Sequence, residues 1–303
     1  MERSLAPLAL AVVLGLSTIS GGCASNKPSL DPPEGYVALR DLDLAKREAL
    51  EAFQLGGEAW EQTLSSARSN PELSRFLVDN LARQLSRAFA GGSGVDLARP
   101  DGTFNRARSG LIALGEPTCE LARQMVADGD DVIAYLGGDL LAALGDSGCD
   151  DLLVLLADRR EQVRRRAAES LGLVPAPISD EVLNALSERC RDDESWVVRA
   201  QSAQALGRLA YQAPERDDLL VTLAAVSRDD DLSVAAEAAA GMARCGDDRA
   251  TPHLIALYQR GLDAGHPAAA QAGRGALEAL HGRSMRGPAE WWGWWNARAR
   301  GGS

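Results

Sequence analysis

Residues 163–172 read Val-Arg-Arg-Arg-Ala-Ala-Glu-Ser-Leu-Gly, and near-copies of this stretch return on both sides of it. Gly172 lies nine residues after Val163 and Gly207 nine after Val198, with Ala167, Ala168 and Ala203 between them. With a second turn position twelve residues past the start, the frame also fits Ile133 to Gly145, Val234 to Gly246, Ala270 to Gly282 and Thr103 to Gly115. The starts at 103, 133, 163, 198, 234 and 270 are 30, 30, 35, 36 and 36 residues apart. A period of this size marks one supersecondary unit that cannot bury its apolar face alone and must stack on its neighbours. Small side chains at fixed places let helices approach closely. The frame therefore predicts an all-α solenoid of six helix pairs.

Within each pair the second helix carries the denser apolar run, as in Leu152 to Leu156, Leu183 to Leu186, Leu219 to Leu223 and Leu254 to Tyr258. Thr251-Pro252 reads as a helix start. Aromatic content is 5%, low enough that short side chains set the spacing between helices.

These units resemble HEAT repeats, in particular the short bacterial kind named after the phycobilisome lyases, which run from an acidic turn through Val-Arg to an Ala-rich helix ending in Leu-Gly. The matching residues are Asp192, Asp193, Val198, Arg199, Ala203, Leu206 and Gly207 in one unit, and Val163, Arg164, Ala167, Ala168, Leu171 and Gly172 in another. The resemblance covers roughly residues 100 to 300 and implies a fold more than a function. The fifth unit departs from it at Ala235, where Arg is expected, so a ladder of charges along the array is interrupted there. A tetratricopeptide array is a rival on period and on Leu206-Gly207 with Tyr211, but Val-Arg and Ala-Leu-Gly fit HEAT better.

The formal charge of -11 gives no net attraction to a phosphate backbone, so nucleic acid is not an expected partner. Arg164-Arg165-Arg166 is the one basic cluster, and Asp158, Glu161 and Glu169 flank it. A solvated surface laced with ion pairs is the expectation.

At the N-terminus, Arg3 and an apolar run from Leu5 to Leu16 read as an export signal over residues 1–22, too short to span a bilayer. Gly21-Gly22-Cys23 resembles the lipobox of bacterial lipoproteins, with Ser20 in place of the usual Leu. The resemblance implies lipidation at Cys23, and acyl chains add about 0.8 kcal/mol of membrane affinity per buried methylene. Ala24 resembles the pattern of lipoproteins passed to an outer membrane, which implies a periplasm-facing location. Residues 23–40, with Pro28, Pro32, Pro33 and Gly35, are too poor in apolar groups to order and form a tether.

Residues 41–95 are expected to be a helical N-terminal cap outside the repeat pattern. Gly56-Gly57 marks a break, Asn70-Pro71 a capped start, and Leu73, Phe76, Leu77, Leu81, Leu85 and Phe89 an apolar stripe at helical spacing. Ala90-Gly91-Gly92-Ser93-Gly94 is a joint leading to the solenoid of residues 96–303. In the tail, Trp291, Trp292, Trp294 and Trp295 fall within an arc of about 160° on a helix. Such a face suits stacking on sugars or a lipid interface, but a C-terminal cap over the last repeat is favoured.

Candidate chemistry is sparse. His253, His266 and His281 fall in different parts of the repeat and make no metal ligand set, and no phosphate loop or nucleophile elbow occurs. No cofactor and no catalytic residue is expected. Cys119 and Cys149 occupy equivalent positions in adjacent units, about 8–10 Å apart on stacked helices, too far for a disulfide. With Cys190 and Cys245 they allow three pairings in an exported protein, and reduced apolar residues are the favoured reading.

The function that follows is an envelope protein, lipid-anchored, that binds or scaffolds a protein partner. Second helices line the concave side of HEAT arrays, which points to Glu120, Arg123, Asp150, Asp151, Asn184, Glu188, Asp217 and Asp218 as partner contacts. An acidic face of this kind suits a partner of basic or mixed charge. The alternative, implied by the same resemblance, is an enzyme that attaches a chromophore to a protein.

Overall fold

The computed structural model describes residues 43–91, 99, 102–212 and 217–301. The export signal, Cys23, the tether and residues 92–94 of the joint lie outside them. Among the described residues every regular element is helical. Three helices, α1 (Leu44–Leu55), α2 (Gly57–Arg68) and α3 (Pro71–Gly91), come before the repeats. Six pairs follow: α4 (Thr103–Leu114) with α5 (Glu116–Asp128), α6 (Asp131–Ala143) with α7 (Asp146–Leu156), and α8 (Glu161–Leu171) with α9 (Asp180–Asp192). The last three are α10 (Trp196–Ala210) with α11 (Asp217–Val226), α12 (Leu232–Cys245) with α13 (Thr251–Asp263), and α14 (Pro267–His281) with α15 (Pro288–Gly301). The array is an α-solenoid.

First helices pack on first helices from α4 to α14, and second helices on second helices from α5 to α11 and again between α13 and α15. The two helices of a unit touch each other less than each touches its neighbours. α6 packs chiefly on α5 and α14 on α13, each across a unit boundary, while α8, α10 and α12 pack most on the first helices beside them. The interior therefore belongs to pairs of units and not to any one hairpin.

The repeat glycines divide by role. Those twelve residues past each start, Gly115, Gly145, Gly246 and Gly282, have φ between 62° and 72°, where an L side chain is strained; Gly115, Gly246 and Gly282 end α4, α12 and α14, and Gly145 stands at the start of α7. Those nine past the start are spacers. A Cβ on Gly207 would lie 2.8 Å from the Gly241 Cα, and one on Gly172 would lie 2.9 Å from the Ala205 Cα. Three first helices are thereby held almost backbone to backbone.

Sequence cues set the helix starts. Asn70 Oδ1 accepts from the Leu73 N–H at 3.1 Å, Asp130 Oδ1 from Ile133 at 2.9 Å and Asp231 Oδ1 from Ser233 at 2.8 Å. Thr251 and Pro252 open α13, as their sequence predicts. A short 3₁₀ turn, Asp248–Ala250, leads into α13, Ala250 stands at the cap, and the buried Thr251 hydroxyl lies 2.8 Å from His281 Nε2.

The Val-Arg arginine turns inward. Arg164 Nε and Nη2 donate to the two oxygens of Asp193 at 2.8 and 3.0 Å, and Nη1 donates to the Asp158 and Arg159 carbonyls at 3.0 Å each. Arg199 repeats this with Asp229 at 2.8 and 3.1 Å and the Asp193 carbonyl at 3.0 Å. Each clasp ties the turn before its helix to the turn one unit on. Arg164 is 5% exposed, so the expectation of a solvated side chain fails for it. Arg165 and Arg166 share Asp131, at 3.4 and 3.2 Å. The clasp is missing at Ala134 as well as at Ala235. In the fifth unit Arg260 of α13 replaces it from the other layer, donating to the Ser227 and Asp229 carbonyls at 2.9 and 2.7 Å.

Both ends of the array are built from the array's own geometry. The cap expected to stand outside the pattern supplies a hairpin: α2 packs on α4, and α3 packs on α4 and α5 in the place a preceding second helix would take. The Trp-rich helix α15 is likewise not an appendage but the second helix of the sixth pair, packed on α13. Trp291 is fully buried and meets Trp294 edge to face at 5.7 Å, with the His281 ring 4.7 Å from Trp294 and the Arg283 guanidinium 4.6 Å above it. Its Nε1 has no hydrogen-bond partner. Burial of so large a side chain outweighs that loss.

Cys119, Cys149, Cys190 and Cys245 are free thiols. Burial pushes the Cys190 thiol up to about 12, so it is uncharged at neutral pH.

Replacing Asp193 by Ala leaves the Arg164 guanidinium buried without its carboxylate, and chemical denaturation is expected to show a loss of about 3–5 kcal/mol. A chain carrying both Arg164→Met and Asp193→Leu should lose less than the two single changes combined; additive losses would mean that the side chains act independently. A second test concerns His281. Burial lowers its pKa, Arg298 and Arg283 push the same way, and Asp248 at 3.7 Å opposes them. The unfolded imidazole titrates near 6.5, so as pH falls the unfolded chain takes up the proton first, and stability that is full above that value declines below it. His253 shifts in the same direction. Melting temperature should drop between about pH 7.5 and 5.5, and drop less in His281→Gln; equal slopes would locate the titration elsewhere.

Candidate functional site

The second helices share one register. Counting from the first residue of α5, α7, α9 and α11, the fifth residues are Glu120, Asp150, Asn184 and Val221, and the ninth are Gln124, Val154, Glu188 and Ala225. All eight are exposed. The first-turn acids Glu116, Asp146, Asp180, Glu181, Asp217 and Asp218 form a further exposed row. Acids in a first turn suit the positive end of the helix dipole, so helix stability alone accounts for that row. It does not account for Glu120, Asp150 or Glu188, which lie one or two turns further on.

Of the residues expected to contact a partner, the structure brings three together. Arg123 of α5 pairs with Glu120 and lies 3.9 Å from Asp151 of α7. Its hydrogen bond, with a second from Gln124 at 2.7 Å, holds the Glu120 carboxyl below its usual range. Asp151 moves the other way, because burial and the neighbouring carboxylates Glu120 and Asp150 outweigh Arg123. Asn184 and Glu188 stand one turn apart on α9. Asp217 is taken by Arg249, which also meets Asp247 at 2.6 Å. The eight residues thus make a strip across four helices, not a pocket. Sequence reasoning missed Val154 and Val221, 63% and 65% exposed, which stand in the acidic rows. The signal that finds them is the fifth-and-ninth register.

The two layers differ in charge. Helices α5, α7, α9 and α11 carry twelve carboxylates and three arginines, whereas α4, α6, α8 and α10 carry four carboxylates and seven arginines. The first-layer cations are largely consumed inside the array: Arg106 donates to the Phe53 carbonyl at 2.7 Å, Arg108 to Asp139 at 2.5 and 3.0 Å, and Arg166 to the Val126 carbonyl at 3.1 Å. Most second-layer acids stay exposed, although Glu120, Asp128 and Asp217 pair with arginines. Among the described residues no group of three or more His, Cys, Asp or Glu side chains is placed to hold a metal, and no helix is long and apolar enough to cross a membrane.

No curated protein matches the chain. Solved structures that resemble it are an engineered protein (17% identity, 80% of this chain and 99% of that one, TM-score 0.40) and Kap121p (14%, 78% and 29%, TM-score 0.41). A third is human deoxyhypusine hydroxylase in complex with glycerol (18%, 78% and 89%, TM-score 0.34). This chain spans less than a third of the length of Kap121p. The family model for HEAT repeats matches residues 119–207 and 183–272. Those stretches overlap to cover half of the chain, and they coincide with the helix pairs and inward-turned arginines described above; the protein belongs to the HEAT-repeat family.

Proposed function

We propose that this protein is a lipid-anchored scaffold of a bacterial cell envelope, joined to the membrane through Cys23 and binding a protein partner along its second-helix face. The observation that carries the reading is the separation of charge between layers. A stable array needs its arginines for turns and helix ends, but nothing in the packing needs Glu120, Asp150 and Glu188 on the open face. A partner of basic or mixed charge meets such a strip through many contacts that are weak one by one and steer association together. Glu120, Arg123, Asp150, Asp151, Asn184, Glu188, Asp217 and Asp218 are the residues assigned to it. The reading needs no cofactor. Ala24 after the lipid-bearing Cys23 supports an outer-membrane location facing the periplasm, and the tether of residues 23–40 gives the array reach from that surface.

Crosslinking in intact cells followed by pull-down on a C-terminal tag is expected to recover a partner, with a yield that falls several-fold when Asp150 and Glu188 are both replaced by Lys. Recovery of the chain alone after efficient crosslinking ends the scaffold reading. The anchor is tested separately. Cys23→Ala is expected to abolish uptake of labelled fatty acid and to move the protein out of the membrane fraction; a variant that keeps both properties has no lipid at this position.

A further inference from the structure

Between α3 and α5, in the second-helix layer, runs a groove of about 500 Å³. Its apolar lining is Pro71, Val78, Pro117 and Leu121, and its charged lining is Arg75, Asp79, Glu116 and Glu120. At the next seam of the layer Arg123 already stands between Glu120 and Asp151. At this one no ion pair crosses among the described residues. The side chains of Arg75, Asp79 and Glu116 enter no hydrogen bond or ion pair with any described residue, although Arg75 and Asp79 are one helical turn apart and α1 engages Glu72 nearby through Lys46 at 2.6 Å. Several other seams spend their charges on the array itself, as at Arg108, Arg164 and Arg199. Here three carboxylates and one guanidinium surround an apolar floor.

We propose that this groove docks a cationic amphipathic segment of a partner protein, with a lysine or arginine against Asp79 and Glu116 and an apolar side chain on Val78 and Leu121. Charge complementarity selects the occupant. An anionic segment would face three carboxylates, and a wholly apolar one would leave Asp79 and Glu116 without partners as it displaced their water. The proposal rests on the second-helix reading above and narrows it to one seam.

The test uses the full chain and two dye-labelled peptides of one design, leucine–lysine and leucine–glutamate, followed by fluorescence anisotropy. The lysine peptide is expected to bind, and to bind about tenfold more weakly to a chain carrying Asp79→Lys and Glu116→Lys. A control carrying Glu61→Lys and Asp230→Lys has the same net charge, with both changes outside the groove, and should bind as the parent does. If the reversals unfold the chain, Asp79→Asn with Glu116→Gln serves, and a clear weakening is still required. Equal binding by both peptides, no binding by either, or weakening as large in the control overturns the groove. The scaffold reading survives those outcomes if Asp150→Lys with Glu188→Lys still reduces the crosslinked partner, so the two failures are distinguishable.

Discussion

Every first helix of this protein packs more across a unit boundary, on the preceding second helix or on a neighbouring first helix, than on its own hairpin partner, and the rest of the structure depends on that displacement. A hairpin taken alone would leave most of its apolar surface in water, because its two helices touch each other little. Stacking buries Leu152, Leu186, Leu206 and Leu254 completely, and burying a leucine side chain is worth about 1.5–3 kcal/mol. Every unit therefore borrows its stability from the one before it, and cooperativity runs along the chain. The ends must supply what a neighbour would have given. At the start α3 fills the place of a preceding second helix; at the end the large, rigid surface of Trp291 and its companions does so.

Close approach along the first layer demands small residues, and small residues contribute little apolar area. The array resolves this by dividing labour between layers. The first layer carries Gly172, Gly207 and Gly241 with many alanines and is held together by backbone proximity. The second layer has the denser leucine runs, such as Leu152 to Leu156 and Leu219 to Leu223, and packs them against first-layer leucines such as Leu140, Leu171 and Leu206. The same division governs charge: long arginines can reach the open carbonyls of turns and helix ends, as Arg164, Arg199 and Arg260 do, so cations are drawn inward and their charge is spent. Carboxylates are too short for most of these spans and remain outside except where an arginine comes to meet them, as at Asp193 and Asp229. The acidic second-helix face is thus partly a by-product of construction. Its residues beyond the first turn, Glu120, Asp150 and Glu188, are the part that construction leaves unexplained and that a binding function uses.

The repeat frame was legible because a period needs no knowledge of packing. The starts at 103, 133, 163, 198, 234 and 270, the turn glycines and the cap at Asn70 are all local facts. Placement of the candidate contacts on second helices was equally local, but which residues of those helices face outward depends on the register that also exposes Val154 and Val221. Arg164 was misjudged for the opposite reason. Three consecutive arginines look alike in sequence, but they point 100° apart on a helix, and the one directed at the next turn is buried while its neighbours stay near the surface.

By itself, then, the sequence determined that helices pair, how many pairs there are and where each begins, because these follow from spacing, small residues and turn chemistry within one unit. Tertiary structure alone decided which helix packs on which, that the tryptophan helix is the sixth pair's second member, that α3 and α5 leave an open groove, and which charges are consumed. Those outcomes depend on groups some thirty residues apart meeting across unit boundaries, and no local pattern records which member of such a meeting will find its partner already taken.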